Sequence, residues 1–344
     1  MNVNTYNLCI GCMMPLGQEA ECRFCGLKQE EYSPFSQCLL PGTELAKRYV
    51  IGKVLGEGSF GITYIGWDKL LDVRIAIKEY FPHDMVGRDT ICGTDNNVHL
   101  YKKEERDNYD SYIKKFVDEA KCLARFNHVR EIVSVLDFFY ENNTAYIVMQ
   151  YIDGVSVKEY VQKNGKMSAK RVLEKMRPVL NALNRVHNMN IIHRDLSPDN
   201  IMIRKNGTLV IIDFGAAKAG NMNSGKMTTL ILKKGFSPAE QYNVKSKFAE
   251  YMDVYSICAS MYYMMTGQVP PDSVMRILED DMPSLVSMEG LDIPVKQCRI
   301  IMKGMSVYAK NRWQNIGELY KALYGEKRKK RKAVFNHLFF KKRK

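Results

Sequence analysis

The apolar positions along the chain change period several times. Residues Tyr49–Gly66 and Arg74–Glu79 read as strands, and so do Val133–Phe139 and Ala145–Met149, the last two joined by the turn Glu141-Asn142-Asn143-Thr144. Between these pairs, Ile113, Phe116, Val117, Ala120, Leu123 and Ala124 recur at helical spacing. From Val155 onward the pattern is helical. Ser168 is placed to cap a helix whose face carries Val172, Met176, Val179, Leu180, Leu183 and Val186. Val254–Pro271 holds no charge, but it contains Ser, Tyr, Thr, Gln and Gly and ends in Pro-Pro. That composition predicts a buried core helix rather than a membrane span.

Other stretches break the periodicity. Residues 31–48 carry Pro34 and Pro41-Gly42 and read as a linker; residues 82–107 are polar and turn-rich. Residues 216–240 show no core pattern, and Ser224, Thr228 and Thr229 within them are either candidate phosphorylation sites or ordinary loop residues. These breaks predict five segments: 1–30, a 31–48 linker, a strand-rich 49–150, a helical 151–325, and a tail from 326 to 344.

Composition sharpens the picture at both ends. The chain has 344 residues, 46% of them hydrophobic and 26% charged, as in a soluble globular protein of about two domains. Its formal charge is +13, yet residues 327–344 hold ten Lys/Arg and no acid, so the body is close to neutral. The tail also carries Val334, Phe335, Leu338, Phe339 and Phe340. It reads as a solvated basic tail, as a contact for an anionic membrane surface, or less readily as a nucleic-acid contact. No secretory signal pattern opens the chain, and nine cysteines without one point to a reducing, cytoplasmic setting, with the tail as an option for contact at the inner membrane surface.

Four of those cysteines form two C-x-x-C pairs, Cys9/Cys12 and Cys22/Cys25. Two such knuckles suit a tetrahedral Zn²⁺ site of structural type, since four thiolates leave no open position. The metal would supply folding energy that so short a segment cannot find in a core. Gly11 and Gly26 fall where knuckle backbones often need positive φ.

The remaining chemistry concerns phosphate. Gly56-x-Gly58-x-x-Gly61 lies between two strand patterns, so its backbone can approach anionic oxygens as a lid. Lys78 ends the strand Arg74–Glu79 in an Ala-x-Lys setting. Downstream come His193-Arg194-Asp195-Leu196-Ser197-Pro198-Asp199-Asn200 and Asp213-Phe214-Gly215. An Asp offered to a hydroxyl, with an Asn and a second Asp as hard oxygen donors for Mg²⁺ or Mn²⁺, points to phosphoryl transfer.

In this order the motifs resemble those of protein kinases over about residues 49–325. With Tyr80-Phe81-Pro82, the Ser-Pro after Asp195 and Ser237-Pro-Ala-Glu-Gln-Tyr242, they look most like bacterial Ser/Thr kinases, some of which carry an N-terminal zinc ribbon. The resemblance implies an α+β bilobal fold, with a β-rich small lobe and a helical large lobe, and ATP·Mg²⁺ in the cleft. It implies an enzyme moving the γ-phosphoryl group to Ser/Thr hydroxyls of protein substrates, its own chain included.

Residue by residue, the resemblance makes Asp195 the base and Asn200 and Asp213 the metal ligands. Gly56, Gly58, Gly61 and Lys78 would hold phosphates, Glu119 would pair with Lys78 (Glu104 and Glu105 compete), and Met149 and Tyr151 would stand at the adenine-binding hinge. His193 would pack against Asp213-Phe214-Gly215, Arg194 would meet a loop phosphate, Glu240 would pair with Arg312, and Asp253 would brace the catalytic loop. Thr63 stands where the family often has Val above adenine. A pseudokinase scaffold and a small-molecule phosphotransferase are the alternatives; Arg194, the Ser-Pro-Ala-Glu segment and Asp253 favour protein substrates. One departure concerns the transferring group. The family's Lys two residues after the catalytic Asp is Ser197 here, and no cation lies between Asp195 and Asn200. Lys218 is a candidate replacement.

Overall fold

The computed structural model describes residues 7–17, 20–58, 61–88, 95–214, 218–219, 232–243, 246 and 248–325, with backbone alone at 218–219. Gly215, Ser224, Thr228, Thr229, the Lys218 side chain and the 326–344 tail therefore lie outside the described residues.

The first lobe is a sheet with one helix. Its strands are β1 (Tyr49–Gly58), β2 (Gly61–Asp68), β3 (Val73–Tyr80), β4 (Val135–Glu141) and β5 (Thr144–Gln150). All neighbours are antiparallel in the order β1-β2-β3-β5-β4, and the two-residue strand Glu44–Leu45 extends the β1 edge. β4 and β5 close through Asn142 and Asn143, both in the left-handed region at φ 52° and 58°, which asparagine tolerates best among residues with a Cβ. Helix α1 (Arg106–Ala124) buries Ile113, Phe116, Val117, Ala120 and Leu123 against the sheet, on the face the spacing predicts. The stretch read as a linker is packed down instead. Cys38, Leu39 and Leu45 belong to the lobe's core, because apolar side chains at those positions find a free sheet surface.

The second lobe is helical. After β6 (Gly154–Ser156) come α2 (Val157–Asn164), α3 (Ala169–His187), β7 (Ile201–Arg204), β8 (Leu209–Ile211), α4 (Glu250–Thr266), α5 (Val295–Gly304) and α6 (Ile316–Tyr324). Ser168 caps α3 by accepting the Arg171 N–H, and Ser156 with Glu159 forms a reciprocal capping box on α2. α4 contains the uncharged run, from Val254 onward. Every residue from Met252 to Met265 is buried, so it is a central core helix. Strands β8-β7-β6 form a small antiparallel sheet, and β7 starts directly after the strip His193–Asn200.

The cysteine-bearing segment docks on the first lobe. Leu8 and Met13 pack on Ile65, with Trp67 and Tyr151 at the margin, and the Lys53 N–H donates to the Ile10 carbonyl at 2.7 Å. Gly52 permits this approach, since a Cβ there would fall 2.2 Å from Met13 Cε. No helix among the described residues is long and apolar enough to cross a membrane.

Candidate active site

A cavity of about 1170 Å³ lies between the lobes, and Gly56, Gly58, Gly61, Thr63, Lys78, Met149, Tyr151, Asp195, Asn200 and Asp213 line it. Strand alternation explains the upper wall. Thr63 pairs with Lys78 across β2 and β3, and Ala76 pairs with Met149 across β3 and β5, so the cleft-facing side chains fall in register. The glycines differ in purpose. A Cβ on Gly61 would sit 2.0 Å from the Glu79 carbonyl oxygen, whereas Gly56 and Gly58 have open space around them. Gly61 is thus needed for sheet packing. The other two leave room for a ligand.

The lower wall is fixed from behind by Asp253. Its carboxylate is fully buried and accepts from the His193 and Arg194 N–H groups at 2.8 and 2.9 Å. It also meets the His187 ring at 2.8 Å. These bonds hold Arg194 at φ 67°, a left-handed backbone that costs of order 1–3 kcal/mol unless its surroundings enforce it. His193 is buried and stacks against Phe214 with ring centres 4.3 Å apart. Its ring nitrogen faces the Ile212 carbonyl, and burial pushes its pKa down to about 4, so it is neutral and structural here. Arg312 clasps Glu240, with one of the two bonds at 2.9 Å, which fixes the segment that follows the loop.

Asp195, Asn200 and Asp213 meet at one point. The Asn200 amide nitrogen donates to the Asp195 carbonyl and carboxylate at 2.8 and 2.7 Å. Burial, reinforced by the charge of Asp213, raises the Asp195 carboxyl to about 6, against the pull of Lys233 and Asn200. Asp213 stands at φ 55°, and its carboxylate forms an ion pair with the Lys78 ammonium. Lys78 is pushed up despite its burial, chiefly by Asp213 and next by Glu119, so Glu119 acts on it from α1 as a second anion.

Two functional details have no sequence signal. Arg88, from the turn-rich stretch, enters the first lobe's core to meet Glu79, the neighbour of Lys78. Lys233, from the unpatterned loop, reaches Ser197 at 2.9 Å and Asp195 at 3.4 Å.

The four cysteines also converge. All Sγ atoms lie within 4.8 Å of one another, with Cys9–Cys25 at 3.6 Å and Cys12–Cys22 at 3.7 Å. A tetrahedron with Zn–S bonds of about 2.3 Å has S···S edges of about 3.8 Å, and a disulfide needs about 2.05 Å, so the set has the size of a metal site. Gly26 takes the expected positive φ, 72°. Gly11 does not. Its reason is contact, because a Cβ there would lie 2.7 Å from Leu27 and 3.2 Å from Cys25 Sγ.

Comparisons agree with this architecture. The protein kinase domain family matches residues 49–332. A Clostridium acetobutylicum protein, named a probable serine/threonine-protein kinase, is 28% identical over 285 residues, covering 81% of this chain and 40% of its own. The serine/threonine-protein kinase PknB of Mycobacterium tuberculosis is 30% identical over 292 residues, 80% of this chain and 42% of its own. A solved structure named PpkA-294 apo form superposes with a TM-score of 0.71 at 30% identity, covering 84% of this chain and all of that one. The chain spans about two fifths of the length of these two curated relatives.

Proposed function

The chain belongs to the protein kinase family, and we propose from that premise that it is an ATP-dependent serine/threonine protein kinase, acting on protein substrates and on its own chain. One observation carries the reading: Lys78, Asp195, Asn200 and Asp213 line a single cleft under a glycine hairpin.

The roles follow from the chemistry of each group. The backbone at Gly56, Gly58 and Gly61 would cover the phosphates, and Lys78 holds the α/β-phosphates while its anionic neighbours keep it charged and oriented. Met149 and Tyr151 line the cleft and would border adenine there. Asp195 orients the acceptor hydroxyl and takes its proton; with a pKa near 6 it is ionised at neutral pH yet more basic than an ordinary carboxylate. Mg²⁺ or Mn²⁺, when bound, neutralises charge on the phosphate oxygens. Asn200 and Asp213 fit that ion, because the Asn200 nitrogen is spent on Asp195 and its oxygen remains the donor atom.

The Cys9/Cys12/Cys22/Cys25 set is assigned to a structural Zn²⁺, which would keep Leu8 and Met13 seated on Ile65 beside the hinge residue Tyr151. The same reading divides the chain into units 1–30, 31–48, 49–150, 151–325 and 326–344, with 31–48, read as a linker, acting as a strap through Cys38, Leu39 and Leu45. The basic tail is the part that would engage an anionic membrane surface in the cytoplasm.

The test is incubation of the purified chain with Mg²⁺, labelled ATP and a protein acceptor, followed by phosphosite mapping. Label on Ser and Thr supports the reading. Label confined to Tyr, to small alcohols, or absent overturns it.

A further inference from the structure

The catalytic strip lacks the cation that its chemistry asks for. Phosphoryl transfer spreads negative charge over the γ-phosphoryl oxygens, and a positive group aimed at them lowers the barrier. Between Asp195 and Asn200 stand only Leu196, Ser197, Pro198 and Asp199. Ser197 is fully buried, and its short side chain reaches no farther than its own hydroxyl.

Among the described residues, the cations lining the cleft are Lys78, Lys158, Lys233 and Lys234. Lys78 is held by Asp213 on the upper wall. Lys158 is drawn to Asp199 at 2.9 Å, and Lys234 is exposed. Lys233 differs from the other three. Its ammonium donates to Ser197 Oγ at 2.9 Å and lies 3.4 Å from Asp195 Oδ1, the carboxylate that faces the acceptor hydroxyl. Its side chain is 26% exposed, so it is partly desolvated while still open to the cleft.

The backbone carrying Lys233 is fixed. Its N–H donates to Ser237 Oγ at 2.8 Å, and its carbonyl accepts from the Phe236 and Ser237 N–H groups. The Ser237 carbonyl in turn accepts from Ser273 Oγ at 2.7 Å. Gly235 makes the turn possible, at φ 83° and with no space for a Cβ, which would fall 2.4 Å from the Pro270 oxygen. A long side chain mounted on a rigid turn is a preorganised charge rather than a wandering one.

We propose that Lys233 is the catalytic cation of this enzyme: it contacts the γ-phosphoryl group from the loop before Ser237-Pro238-Ala239-Glu240, with Ser197 holding its ammonium in place. The cation thus comes from this loop, 36 residues past Ser197, and not from the strip itself. This rests on the kinase reading above. In the step itself, the acceptor oxygen forms a bond to Pγ and the bond from Pγ to the β,γ-bridging oxygen breaks. ADP departs with that electron pair, and the hydroxyl proton passes to Asp195 and then to solvent. Lys233 exchanges no proton or electron in this step; it stabilises charge as it shifts toward ADP.

The test compares wild type, Lys233→Met, Lys233→Ser and the swap Lys233→Ser with Ser197→Lys, using casein as acceptor and Mg²⁺·ATP. ADP binding and thermal melting report folding. The prediction is a kcat loss of about 10²–10³-fold in Lys233→Met and Lys233→Ser with ADP affinity held within about threefold, and recovery of about tenfold or more in the swap. A merely structural lysine would not be rescued by moving its charge to residue 197. Activity of Lys233→Met within about threefold of wild type overturns the proposal, as does a folded, ADP-binding swap no faster than Lys233→Ser. If Lys233→Met does not fold, the folded swap decides alone by its activity against wild type. If the wild type itself transfers no phosphate, the kinase reading fails and this inference with it; an active wild type isolates the failure to Lys233.

Discussion

Glu79 and Arg88 form an ion pair with both side chains fully enclosed. The Glu79 carboxylate also accepts from Tyr64 and Tyr146 hydroxyls at 2.9 and 2.7 Å, and Arg88 donates onward to the Gln37 and Asn96 carbonyls at 2.9 and 2.7 Å. The pair ties the 31–48 strap and the turn-rich stretch after β3 to the back of the sheet. Because β3 alternates faces, it also sets the strand that presents Lys78 to the cleft.

Removing one partner should therefore destabilise the first lobe strongly. Arg88→Leu leaves a buried carboxylate unpaired, and the expected loss is about 3–5 kcal/mol in urea unfolding. A loss below about 1 kcal/mol would mean that the network is not formed.

The glycine hairpin separates folding from binding. Gly61→Ala meets the Glu79 carbonyl and should lower the melting temperature by several degrees, given a cost of roughly 1–3 kcal/mol. Gly56→Ala meets nothing within 4 Å and should melt like wild type while weakening ATP binding. Calorimetry with and without nucleotide distinguishes the two.

His187 gives a pH signature. Burial alone would lower its pKa, but bonds to Asp253 and to Glu250, the latter at 3.2 Å, outweigh it and raise it to about 9. A raised pKa means the folded state holds the proton more tightly than the unfolded one. The contribution, about 3 kcal/mol, is complete below about pH 6.5 and is lost as pH rises through about 9. Urea titrations between these values should show wild type losing stability relative to His187→Asn, and a pH-independent difference would contradict the assignment.

The cysteine set predicts about one Zn²⁺ per chain by elemental analysis, lost in Cys12→Ser. Without the metal, Met13 and Leu8 lose their support over Ile65, and proteolysis should cut first within residues 7–30. Metal-free protein with an unchanged cleavage pattern would exclude that role.

Much of this was legible in the sequence because period and motif agree. The α1 face, the Ser168 cap and the buried α4 follow from spacing and composition, and His193, Asp253, Glu240 and Arg312 find the contacts that the family resemblance implies. What was not legible depends on long-range contact. Arg88 lies in a polar stretch, and nothing local says that a charge there is buried. Cys38 and Leu39 sit between prolines, where no period reveals the sheet that covers them. Lys233 lies 36 residues past Ser197, in a loop without pattern, so its contact with Ser197 is visible only in the folded chain.

The proposed phosphoryl transfer turns on Asp195. The most direct measurement is phosphate transfer from labelled ATP by wild type and by Asp195→Asn, with ADP binding measured on both. Transfer to Ser and Thr by wild type is expected, with a fall of about 10²-fold or more in the variant and ADP binding retained in each. Equal labelling by the two proteins would contradict it.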